Sequence, residues 1–131
     1  MVKAIPPRLV DPYLSGQRSV IAGYLYRAWD CAYTEPASFY YALKLDYEGS
    51  DFSSDMTQIF LLRWAALDMS GSLVSVPAGS TARQDSGVPE FFTLPIPIPV
   101  GAEIHRVVPG AEEFVATYDG QMWLRQSVSP R

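Results

Sequence analysis

Glu90 heads an aromatic strand, EFFTLPI, after which a Pro-x-Pro run bends the chain to Gly101. A carboxylate held at a strand start can do acid–base work or stabilise developing positive charge, so Glu90 is the candidate catalytic residue. Two sets of residues accompany it. Arg27 ends an early strand, and hydroxyl clusters stand between, either Ser53-Ser54 or Ser80-Thr81. Glu90 with Asp85 would make a carboxylate pair for glycosidic hydrolysis, but that chemistry depends on their separation, which the residues leave open. His105 is the sole histidine, with Glu103 two residues before it. A catalytic zinc usually takes about three protein ligands, so no metal is expected and His105 reads as a sheet histidine. One histidine also argues against a Ser-His-Asp or Cys-His nucleophile. No GxSxG, phosphate-loop or GxGxxG pattern is present. Cys31, the single cysteine, follows Trp29-Asp30 in an apolar stretch and reads as a buried structural thiol.

Several elements must position these groups. Residues 18–29 are rich in β-branched and aromatic types and read as a strand, with Tyr24, Tyr26 and Ala28 on one face. Thr34, Glu35 and Pro36 make a helix start, and Phe39, Ala42 and Leu43 an apolar stripe, so a helix is expected over 35–45. Residues 56–67 are nearly continuous apolar sequence and read as a central strand. The alternating segment 70–76 is expected to pair with it through a turn at Asp68–Gly71. Residues 77–88 read as a polar, glycine-rich loop. EFFTLPI ends in proline, which marks a sheet edge or exit. AEIHRVV and EEFVATY alternate around Pro109-Gly110 as a hairpin, and QMWLR follows the Asp119-Gly120 turn as a short strand. Four of the first 17 residues are Pro or Gly, which reads as an arm without helix. The expected fold is α+β: a mostly antiparallel sheet of about six to seven strands with one or two helices.

At 131 residues, 48% hydrophobic and 18% charged, the chain is expected to be one globular domain, outside the disordered regime. A net charge of −4, with no basic stripe, argues against nucleic acid as a partner. No apolar run nears the roughly 20 residues of a membrane span, and the start lacks the apolar core of a signal peptide. A cytoplasmic chain is expected, or a domain of a larger secreted protein. Glu112, Glu113 and Asp119 read as the wet face of a sheet. With Tyr118 and Trp123 beside them, they would alternatively form a docking hairpin for a basic protein partner.

Arg27 in Leu25-Tyr26-Arg27, the middle hydroxyls, and Glu90 running through Pro99-Val100-Gly101 to Ile104-His105-Arg106-Val107 together resemble the ADP-ribosyltransferase family, over about 27–108. That resemblance implies NAD as cofactor and transfer of ADP-ribose to a target, or hydrolysis of NAD, as in some toxins. Breaking the nicotinamide–ribose bond makes an oxocarbenium-like ribose, which Glu90 would stabilise. Arg27 would hold the dinucleotide phosphates with its guanidinium fork. Tyr26 or another aromatic (Tyr24, Phe91, Phe92) would stack on nicotinamide, and Ser53, Ser54, Ser80 or Thr81 would brace the glutamate or ribose. Members acting on arginine carry Glu or Gln two residues before the catalytic Glu, where this chain has Val88. The competing expectation is a non-catalytic, acidic, aromatic-rich protein-binding module, such as a toxin neutraliser or accessory protein.

Overall fold

The apolar run at residues 59–63 shows how the pattern becomes architecture. In a strand, successive side chains point to opposite faces, so an unbroken apolar run requires cover on both sides. Leu61 and Leu62 are both fully buried, and they belong to two different core clusters. The strand is the interior of a sheet packed on each face.

A computed structural model describes residues 1–43, 45, 49–65, 73–76 and 88–125, and gives only the backbone for 73–76. Within them the strands are β1 (Val2–Ile5), β2 (Val20–Leu25), β3 (Ile59–Arg63) and β4 (Leu73–Val76), then β5 (Glu90–Pro97), β6 (Glu103–Val108), β7 (Ala111–Tyr118) and β8 (Trp123–Arg125). Two short α-helices accompany them, α1 (Val10–Leu14) and α2 (Pro36–Ala42), along with two single-turn 3₁₀ segments. One sheet runs β1-β3-β6-β7-β8 and the other β2-β5-β4, with every strand pair antiparallel. This is the α+β, mostly antiparallel class expected. No described helix is long and apolar enough to cross a membrane.

The first core cluster lies between β2 and the larger sheet, joining Ile21 and Leu25 to Leu62, Ile104 and Ala116, with Tyr13 of α1. On the other face of the larger sheet, Phe39 of α2 packs with Val2, Leu61 and Val107. Full burial of an aromatic side chain such as Phe39 is worth about 2–3 kcal/mol. The helix is shorter than the expected 35–45. Its N-cap is Glu35, not Thr34, because Pro36 at the first turn fixes the entry.

Two segments differ from expectation. Residues 1–17 include a paired strand and a helix: Val2–Ile5 contains no proline, so its amides remain available to β3, and Pro12 sits in the first turn of α1 where no donor is needed. β1 brings the described strands to eight. The second difference is β4, which does not pair with β3. It lies in the other sheet against β5, so β3 and β4 are not the paired strands expected. Residues 68–71 and 77–87, read as the connecting turn and a loop, fall outside the described residues apart from Val88, which is buried.

The proline reading of β5 holds in a local form. Phe91 to Thr93 have neighbours on both sides, whereas Ile96 and Pro97 pair, among the described residues, with β2 alone. The missing donors of Pro95 and Pro97 are thus placed where the ladder is one-sided.

Candidate active site

Glu90 is the first residue of β5 and stands opposite Val76 of β4. It is 8% exposed, the one buried acidic or basic side chain among the described residues. A carboxylate out of water must be hydrogen-bonded, and the Tyr26 hydroxyl donates to Glu90 Oε2 at 3.0 Å. The same hydroxyl lies 3.3 Å from the Leu43 carbonyl, just past α2. With one proton to give, it favours the shorter, charge-assisted contact. Tyr26 itself is held tightly. It forms the isolated bridge to Val2, with amide–carbonyl bonds of 2.7 and 2.9 Å in the two directions, at the point where the two sheets meet. A buried tyrosine pinned by backbone bonds therefore fixes the buried glutamate.

Arg27 is directed elsewhere. Its Nε donates to Asp30 Oδ2 at 2.6 Å, and its guanidinium lies over the rings of Trp29 and Phe91, at 5.2 and 5.4 Å from their centroids. Phe91 is opposite Leu25 and packs on the first core cluster. Glu90, one residue earlier, meets Tyr26 of the second cluster. Strand alternation therefore sends Arg27 with Phe91 and Glu90 with Tyr26 to opposite sides of β5. Of the residues singled out from sequence, the structure brings Tyr26 and Glu90 together, with Arg27 across the strand from them. Ser53 and Ser54 are exposed in the turn before β3, where Ser53 Oγ bonds Asp55 Oδ1 at 2.8 Å. Ser80, Thr81 and Asp85 lie outside the described residues.

Tyr26 also lines a cavity of ≈ 180 Å³ between β1 and β2, together with Tyr24, Lys3, Arg8 and Arg18. These basic residues belong to no motif. Two lie in the proline-punctuated N-terminal segment, and only folding back against β2 assembles them. Arg8 pairs with Asp51 at 2.7 Å, and this contact holds the Asp51 carboxyl below its ordinary value.

The remaining candidates are bonded or buried within the described residues. His105 lies on the β6 ladder, with Nε2 2.8 Å from Glu103 Oε1 and Nδ1 3.0 Å from Glu112 Oε2. Arg63 engages both oxygens of Glu112 at 2.8 Å, so histidine, arginine and carboxylates form one cross-strand network. Among the described residues no three His, Cys, Asp or Glu side chains are grouped to hold a metal. Cys31 is fully buried, its thiol 3.3 Å from the Arg27 carbonyl, and burial pushes its pKa up to about 11. Such a thiol is a poor nucleophile. In the C-terminal hairpin Glu113 is exposed but bonded to Arg106, and Trp123 is buried against Tyr118. The exposed apolar side chains beside it are Met122 and Leu124.

Comparison with known proteins found no match to this chain, whether among protein-family models, curated proteins or solved structures.

Proposed function

We propose that this chain is an ADP-ribosyltransferase-like domain that binds NAD and breaks its nicotinamide–ribose bond. The observation that carries the reading is the buried Glu90–Tyr26 pair, whose tyrosine also walls a basic cavity. In the reaction the C1′–N bond breaks with its electron pair leaving on nicotinamide, and positive charge develops on the ribose. Glu90 stabilises that charge, and Tyr26 holds the carboxylate in place so that little reorganisation is needed when the charge appears. Water, or a side chain of a target protein, then attacks C1′ and loses a proton. Arg27 has no phosphate role in this version, since Asp30 and two aromatic rings occupy its guanidinium.

An NAD titration followed by thermal shift tests the binding step. Saturation at about 100 times Kd stabilises the folded state by roughly 2.7 kcal/mol. A melting temperature unmoved by millimolar NAD would end the proposal.

A second reading, a non-catalytic protein-binding module, is favoured by one observation. Trp29 is 75% exposed and stacks under Arg27, and such a Trp–Arg pair is the composition of an interface anchor. Under that reading Trp29→Ala abolishes capture of a protein partner, while Glu90→Gln leaves it intact.

A further inference from the structure

The end of α1 and the turn between β7 and β8 enclose another cavity, of ≈ 170 Å³, which shares a single residue, Arg18, with the one walled by Tyr26. Backbone bonds shape both rims. After α1 the chain turns at Ser15-Gly16, where Gly16 has φ +83°, and the Arg18 amide donates to the Pro12 carbonyl at 2.9 Å. Across the cavity Asp119 Oδ1 accepts from the amides of Gln121 and Met122, both at 2.8 Å, which holds that turn in one shape. The walls are apolar. Ile98 and Trp123 are buried there, Leu14 lies beside them, and the Tyr118 ring stands 5.2 Å from that of Trp123. Arg18 gives the space its one charge, since no Asp or Glu lines it. The guanidinium carbon is 5.7 Å from the centroid of the buried Tyr13 ring. A π face offers no lone pair, so the N–H fork has no acceptor oxygen among the described residues.

We propose that this cavity binds a small aromatic carboxylate, a single ring bearing one acid group. An apolar cavity of about 150 Å³ takes one benzene ring, so ≈ 170 Å³ accommodates the ring and little more. Against Tyr118 and Trp123 a flat ring gains edge and face contacts that an aliphatic chain does not. The acid group then meets Arg18 at the rim, where paired N–H groups match two carboxylate oxygens. A phosphate or dicarboxylate would call for a second cation, and none lines the space. Neither Glu90 nor Tyr26 lines it either, so ring binding here and NAD cleavage stand or fall separately.

The test is an amide-resolved NMR titration of the full chain with sodium benzoate, benzamide and sodium acetate at matched ionic strength. Benzoate should bind on the order of tenfold tighter than benzamide, the equivalent of one charge-assisted hydrogen bond. It should exceed acetate by at least about as much, through burial of the ring. Its shifts should centre on the amides of Ser19, Gln121 and Met122. Arg18→Gln should lower benzoate to the affinity of benzamide and leave benzamide unchanged, a pattern that loss of folding cannot produce. Arg18 is exposed, so its replacement leaves the fold intact, which circular dichroism verifies. Arg8→Gln, which alters the neighbouring cavity alone, should bind benzoate like the parent. Benzoate no tighter than benzamide or acetate, parent-like affinity in Arg18→Gln, or an equal loss in Arg8→Gln overturns the site. Benzoate binding without NAD turnover removes only the ADP-ribosyl reading, whereas NAD turnover without benzoate binding removes only this one.

Discussion

Removing the Tyr26 hydroxyl is the most informative single perturbation. Tyr26→Phe keeps the ring, which is 1% exposed, and deletes one oxygen that lies 3.0 Å from Glu90 Oε2 and 3.3 Å from the Leu43 carbonyl. A hydrogen bond to a charged partner contributes about 1.5–3 kcal/mol. For a domain of this size that corresponds to a fall in Tm of roughly 6–12 °C. The single variant mixes two losses, so the companion is Glu90→Leu, which removes the carboxylate at similar volume, together with the double variant. In the Glu90→Leu background the hydroxyl can donate to the Leu43 carbonyl instead, so the cycle reads the strength of the Glu90 bond over that fallback. Urea unfolding of all four proteins should give a Tyr26–Glu90 coupling of at least about 1 kcal/mol. Additivity to within about 0.5 kcal/mol would refute the reasoning, because it would mean that the hydroxyl does not hold the carboxylate.

Two further expectations concern the scaffold. Phe39→Ala empties the fully buried site where α2 meets the larger sheet, and should destabilise the protein by about 3–5 kcal/mol in urea titrations. Loss of less than about 1 kcal/mol would mean that α2 does not cover that face. Cys31 should give stability a dependence on alkaline pH. The unfolded chain releases the thiol proton near the ordinary value of 9.0 and the folded protein only near about 11. Between those values the unfolded state binds fewer protons, so stability is constant below about 9 and falls by roughly 2–3 kcal/mol towards 11. The same slope should be absent in Cys31→Ala, and Ellman's reagent at pH 8 should react with Cys31 only after urea is added. Rapid native labelling would contradict the burial argument.

Much of this was legible in the residues where the signal is local. AEIHRVV and EEFVATY alternate with period two around a Pro-Gly pair, and the structure forms β6 and β7 there, with Gly110 at φ +77° in the turn. Asp119 accepts from the amides of Gln121 and Met122, which is the turn chemistry that Asp-Gly announces. The partner of β4 was not legible. A strand pattern states which face is apolar, not which neighbour it joins, and β4 found β5 in place of β3. Tyr26 and Glu90 are 64 residues apart, so their contact depends on two sheets converging at the Val2–Tyr26 bridge. Arg27 shows the opposite limit. Its residue type suits a phosphate fork, yet Asp30 three residues later and the Phe91 ring across the strand claim its guanidinium. Lys3, Arg8 and Arg18 carried no signal beyond charge, because the cavity they line is created by packing.

The central claim is that Glu90 stabilises charge on a departing ribose. Nicotinamide release from NAD, followed by chromatography for the parent protein and Glu90→Gln under saturating NAD, tests it most directly. The account predicts measurable release by the parent and a fall of at least about 10²-fold in kcat for the variant, with NAD affinity largely unchanged. Release that is equal in both proteins, or absent from the parent, would contradict it.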